Sequence, residues 1–89
     1  MTARITGRVQ GVGFRWWVRR QATLLELTGW VMNGHDERSV ELIAEGRPSS
    51  LDELEGMLNQ GPSGARVEGV SARREPASGE FEGFGIVRS

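Results

Sequence analysis

The apolar residues of this chain change period along its length, and that change limits the folds open to it more than any other feature. From Phe14 onward, Phe14, Trp17, Val18, Ala22 and Leu25 recur at the spacing of one helix face. Ahead of them, residues 2–9 (TARITGRV) contain β-branched residues in partial alternation, the pattern of a strand. Further on, Val40, Leu42 and Ala44 alternate with Glu41, Ile43 and Glu45, a period that a strand, not a helix, turns toward a core.

Turn residues complete the order. The first helix is expected to end near Thr28–Gly29, and Trp30–Asn33 and Ser39–Glu45 are the two strands of a hairpin. Ser50 with Glu53 three residues later predicts a capping box for a second helix, whose Leu51, Leu54 and Leu58 form a stripe and which stops at Gly61–Pro62. Residues 65–74 and 80–88 read as extended segments, separated by Pro76, Ser78 and Gly79. Strand, helix, strand, strand, helix, strand, with a terminal strand added, is the α+β ferredoxin-like βαββαβ pattern: an antiparallel sheet with two helices on one face. At 89 residues there is enough chain for one core and too little for a second, so a single domain over 1–89 is expected.

Such a fold hosts many functions, and composition removes some of them. The chain has no cysteine, which excludes disulfides, thiolate metal sites and a thiol nucleophile, and suits a cytoplasmic protein. Its start, MTARITGRVQ, has no apolar signal region, and no segment nears the roughly 20 apolar residues of a membrane span. A net charge of −1 favours neither nucleic acid nor a membrane surface, so neither partner is expected; a monomer is the expectation for the chain, though the sequence leaves its oligomeric state open. The charge is nonetheless uneven. Residues 1–20 hold Arg4, Arg8, Arg15, Arg19 and Arg20 and no acidic residue, whereas Asp and Glu dominate from Glu26 to Glu55.

The basic end contains GRVQGVGFR, residues 7–15, which runs from a strand through a glycine-containing loop into a helix N-terminus. Unpaired N–H groups and the helix dipole make such a junction attractive to anions. Gly11 and Gly13 permit the positive φ angles that aim successive amides at one point, and Gln10, Val12 and Phe14 add theirs. No Ser, Thr, Asp or Asn caps this helix, in contrast to the second, and Arg15 places a cation where the dipole disfavours it. A phosphate between the amides and the Arg15 guanidinium would relieve both defects. The plainer alternatives are a tight strand-to-helix turn and a solvated or ion-paired Arg15.

Asn33 also has two readings. Asn33–Gly34 is a hairpin-turn pair, but His35, Asp36, Glu37 and Arg38 are poor strand material, so a wider turn over 34–38 is expected. His35, Asp36 and Glu37 are the only cluster of potential metal ligands, and three consecutive residues do not easily converge on one ion. With no G-x-S-x-G motif and no cysteine, water is the expected attacking group. Trp17 falls on the core stripe and Trp30 opens a strand, which leaves Trp16 without an assigned role.

GRVQGVGFR resembles the acylphosphatase signature, and GWVMN at 29–33 is similar to that family's second motif. The resemblance continues through VELIAEG at 40–46, GPSGARVEGV at 61–70 and the ending GEFEGFGIV, so it covers nearly the whole chain. It implies that Arg15 binds the phosphate of a small acyl phosphate together with the amides of Gln10, Gly11, Val12, Gly13 and Phe14. It implies also that Asn33 positions the attacking water, and that hydrolysis of the carboxyl–phosphate bond needs no metal or other cofactor. The chain departs from the family at GHDERS before Val40, where a shorter turn with Asp-Gly is common. Two other classes share parts of this pattern. An RNA-binding module of the same topology needs stacking aromatics, and residues 2–9 and 39–45 have none. A regulatory domain that binds phosphate without turnover, resembling the acylphosphatase-like segments of larger carbamoyl-transfer proteins, is less favoured because both Arg15 and Asn33 are present.

Overall fold

In the computed structural model, which describes residues 1–88, the period changes become β1 (Thr2–Arg8), α1 (Phe14–Leu24), β2 (Thr28–Asn33) and β3 (Ser39–Glu45), then α2 (Pro48–Leu58), β4 (Arg66–Arg73) and β5 (Phe84–Val87). Ser89, counted in the expected domain, lies outside the described residues. The strands form one sheet in the order β4-β1-β3-β2-β5. Alternation buries Ala3 and Ile5 of β1, Val31 of β2, and Val40, Leu42 and Ala44 of β3. The helices cover that face with Phe14, Val18 and Ala22 from α1 and Leu51, Leu54 and Leu58 from α2. Burial of these side chains is the main favourable term in folding.

The sheet is mixed, where antiparallel pairing throughout was expected. β1 pairs antiparallel with β3 and β4, and β2 with β3, but β5 lies parallel to β2. The connector from β4 to β5 crosses one end of the sheet, from one edge to the other. β5 therefore starts where β4 stopped and runs opposite to it, which is the direction of β2. Glu45, the last residue of β3, fixes the crossing: its carboxylate accepts from the Ser78 N–H (2.8 Å), the Ser78 hydroxyl (2.9 Å) and the Gly79 N–H (3.1 Å). These bonds hold the Glu45 carboxyl below the ordinary carboxylate range, the Ser78 N–H contributing most.

Both helices depart from expectation at one end. α1 stops at Leu24, short of Thr28–Gly29, because Glu26 takes a left-handed conformation (φ 59°) and the Leu27 N–H donates back to the Ala22 carbonyl at 2.9 Å. That reversal buries Leu27 and releases Thr28 and Gly29 to pair with Glu45 and Ala44 of β3, so β2 begins two residues before Trp30. Gly29, at φ 141°, passes so close to β3 that a Cβ would lie 1.9 Å from the Ile43 carbonyl oxygen. α2 starts at Pro48 after Arg47, with no side-chain cap, and Ser50 is buried inside its first turn, so the Ser50–Glu53 capping box does not form. Proline supplies the start instead, since its φ suits the first helical position and its missing N–H needs no partner there.

The tryptophans divide as their positions suggest. Trp17 is half-buried and meets the Phe14 ring edge-on at 5.4 Å, while Trp16 is exposed beneath the Arg19 guanidinium at 5.6 Å, a cation–π pair. Among the described residues, no helix is long and apolar enough to cross a membrane.

Candidate active site

The ends of β1 and β2, the start of β3 and the N-terminus of α1 meet at the end of the sheet opposite the β4–β5 connector. β1 delivers the loop 9–13, anchored by the buried side chains of Val9 before it and Phe14 after it. Gly11 (φ 72°) and Gly13 (φ 76°) both adopt the left-handed conformation, and no atom lies within 4 Å of where their Cβ would be. Glycine is therefore required there by backbone conformation, not by crowding.

Gly13 is also the N-cap of α1, and the first helical bond is from the Trp17 N–H to the Gly13 carbonyl at 3.0 Å. Among the described residues, no backbone or side-chain acceptor receives the N–H groups from Gln10 to Trp16. A run of unpaired donors at a helix N-terminus, with no side-chain cap, is the arrangement to which anions are attracted. The expected contrast with a capped second helix does not hold, since neither helix has a side-chain cap. What distinguishes α1 is the bent loop ahead of it.

Arg15 lies in the first turn of α1, half-buried, and among the described residues it has no ion pair or hydrogen bond. Arg8 and Arg66 stand opposite each other across β1 and β4, likewise without acidic partners among the described residues, so the loop end of the sheet is positive. Like charges directly opposed on two strands are locally unfavourable.

Asn33 is the last residue of β2, two positions after the buried Val31 and paired with the buried Val40, so it belongs to the helix-side face of the sheet. Its Oδ1 is buried and has no hydrogen-bond partner. A buried acceptor without a donor is unfavourable by about 1–3 kcal/mol, a deficit that water or substrate can remove. The hairpin after it has the wide turn expected over 34–38. The Gly34 N–H donates to the Ser39 carbonyl (2.9 Å), and Asp36 Oδ1 accepts from the Ser39 hydroxyl (2.7 Å) and the Arg38 N–H (3.1 Å). Arg4 closes on the same carboxylate at 2.5 Å. The Ser39 hydroxyl, the Arg38 N–H and then Arg4 hold the Asp36 carboxyl below its ordinary range. Asp36 is thus a turn-building residue, and among the described residues no group of three His, Cys, Asp or Glu could hold a metal ion.

The connection between loop and hairpin was not foreseen. The Gln10 side-chain amide donates to the Gly34 carbonyl (3.0 Å) and to the Ser39 carbonyl (2.8 Å), spanning from the end of β1 to the turn after β2. Gln10 was expected to contribute only its backbone N–H. The three-residue spacing of Asp36 and Ser39 is a local turn signal that sequence could have offered. The Gln10 bridge spans 24 and 29 residues and leaves no local pattern.

The topology and the strand-to-helix loop define a small α+β domain of ferredoxin-like type whose first helix starts from a bent loop of unpaired N–H groups. The chain belongs to the acylphosphatase family, whose profile matches residues 1–86. It is 50% identical over 88 residues to the acylphosphatase of Salinibacter ruber, covering 99% of this chain and 92% of that one. The crystal structure of acylphosphatase from Bacillus subtilis superposes with a TM-score of 0.91 at 34% identity, covering 97% of this chain and 94% of that chain. The crystal structure of full-length HypF in its phosphate- and nucleotide-bound form is similar over 97% of this chain, with a TM-score of 0.80 and 27% identity, but this chain covers only 12% of it.

Proposed function

We propose that the chain hydrolyses the carboxyl–phosphate bond of acyl phosphates by direct attack of water on phosphorus, with Arg15 and the loop amides as the phosphate site and Asn33 as the water-orienting group. Membership of the acylphosphatase family makes it a hydrolase of acyl phosphates. The observation that carries the residue assignment is the unbroken run of unpaired N–H groups from Gln10 to Trp16, with the Arg15 guanidinium free of any protein partner among the described residues.

The amides of Gln10, Gly11, Val12, Gly13 and Phe14 and the guanidinium of Arg15 hold the non-bridging phosphoryl oxygens and take up the charge that spreads over them in an in-line displacement. Asn33 Oδ1, an acceptor lacking a donor, accepts a hydrogen bond from the water and aligns its lone pair with phosphorus. The new bond forms between the water oxygen and phosphorus, and the bond from phosphorus to the acyl oxygen breaks. A carboxylate leaves without needing a proton, and the proton of water passes to a phosphate oxygen. No covalent intermediate and no metal enter this scheme. The lack of cysteine supports a cytoplasmic setting.

The test is release of inorganic phosphate from benzoyl phosphate in EDTA by the wild type and by Asn33→Ala. Turnover that survives chelation and collapses in the variant is the expected result. Loss of activity on chelation would overturn the metal-free scheme, and a wild type that binds phosphate without turnover would place the chain with non-catalytic phosphate-binding domains.

A further inference from the structure

The phosphate loop and Asn33 arrive on strands that are not neighbours, because β3 lies between β1 and β2. Main-chain pairing therefore does not set their separation directly. Beside the bond from the Gly7 N–H to the Arg38 carbonyl (2.9 Å), which joins β1 to the turn, one side chain ties the loop itself to the hairpin. Gln10 donates one amide hydrogen to the carbonyl of Gly34, the residue after Asn33, and the other to the carbonyl of Ser39. Those two residues are joined by the bond that closes the hairpin, from the Gly34 N–H to the Ser39 carbonyl at 2.9 Å. Both hydrogens of the Gln10 amide are thus used on one turn, while its backbone N–H belongs to the cradle.

We propose that Gln10 is a positioning residue for the hydrolysis, its side chain fixing the phosphate cradle at the working distance from Asn33. This rests on the reading of Asn33 as the water-orienting group. The turn cannot be drawn toward the loop by any other side chain seen there: Asp36 is engaged by Arg4, Arg38 and Ser39, and these bonds shape the turn internally or tie it to β1 at Arg4, away from the loop. The hairpin turn over 34–38 is held on one side by Arg4 and on the other by Gln10. With the Gln10 amide removed, the cradle keeps its anchors, since Val9 and Phe14 remain buried on either side. Asn33 is then tied to β1 only through the ladder of β3 and the bond from the Gly7 N–H to the Arg38 carbonyl (2.9 Å), and no bond joins the hairpin to the loop itself. In-line attack depends steeply on the placement of Asn33 relative to the cradle, and a misplacement of about 1 Å can lower a rate about a hundredfold.

The experiment is a double-mutant cycle of Gln10→Met and Asn33→Ala, reading kcat with benzoyl phosphate and the inhibition constant of inorganic phosphate. Methionine keeps length and apolar bulk and removes both donors. Gln10→Met is expected to lower kcat about a hundredfold with little change in phosphate inhibition, and to lower it little further once Asn33 is already alanine. Independent losses that multiply in the double variant, or phosphate binding that weakens in step with kcat, would overturn the proposal and leave Gln10 as a support of the loop alone. Asn33→Ala with wild-type turnover would remove the reading of Asn33 itself, and that result is visible in the single variant. Far-UV circular dichroism checks folding. Should Gln10→Met unfold, Gln10→Asn, which keeps the amide and shortens its reach by one methylene, must show the same coupling or the proposal fails.

Discussion

Arg15→Ala should separate activity from stability. In the structure the guanidinium has no acidic partner among the described residues and sits in the first turn of α1, on the positive end of the helix dipole. Removing a cation there relieves an interaction unfavourable by about 0.3–1 kcal/mol, offset by the packing of a half-buried stem. The net change in folding free energy should therefore lie within about 0.5 kcal/mol, a shift of no more than about 4 °C in Tm for a domain of this size. Activity behaves differently. Loss of one preorganised donor to a developing oxyanion typically lowers kcat about 100- to 1000-fold, or about 2.7–4 kcal/mol of transition-state stabilisation. Phosphate release from benzoyl phosphate and urea unfolding on the same preparations measure the two effects. A folded Arg15→Ala enzyme with near wild-type turnover would refute the phosphate-site assignment. Equal damage to activity and stability would show that Arg15 supports the fold, contrary to its unpaired position.

Three further outcomes follow from the packing and electrostatics. Gly29→Ala should destabilise the hairpin strongly or prevent folding, since its Cβ would lie 1.9 Å from the Ile43 carbonyl oxygen at a φ of 141°; an unfolding midpoint equal to wild type would contradict that geometry. Leu54→Ala should lower stability by about 2–5 kcal/mol by opening a cavity under α2, where Leu54 is fully buried, while leaving kcat of the folded fraction near normal. The Glu45 carboxyl titrates lower when folded than when unfolded, so its contribution is fully present above the unfolded value and is lost as pH falls through the folded one. Urea midpoints measured downward from about pH 5 should accordingly fall, and Glu45→Gln should flatten that fall. A pH profile unchanged by the substitution would show that the Ser78 and Gly79 contacts do not matter in solution.

Where the sequence could be read, local chemistry was sufficient. Period two in Val40, Leu42 and Ala44 and the helical stripe through Leu54 and Leu58 each depend on a single element meeting one core, and both are buried as read. The left-handed conformations of Gly11 and Gly13 were legible because a strand that turns into a helix within a few residues needs positive φ there. The wide turn after Asn33 was legible from four residues unsuited to a strand.

Other features were settled by contacts between distant segments. α1 could have continued past Leu24, and the burial of Leu27 with the pairing of Thr28 to Glu45 ends it. β5 is parallel because the connector crosses at one end of the sheet, where Glu45 holds Ser78 and Gly79. The helix start at Pro48 shows a local signal losing to the path of the chain, for the Ser50–Glu53 spacing remains but Ser50 is drawn into the core. The sequence by itself determined the elements, the inward faces and the glycine-bent loop ahead of α1, since periodicity, glycine conformations and helix ends are properties of short segments. Only the tertiary structure decided how the loop and Asn33 face each other, because a hydrogen bond from Gln10 to Gly34 and Ser39 exists only once β1, β3 and β2 lie side by side.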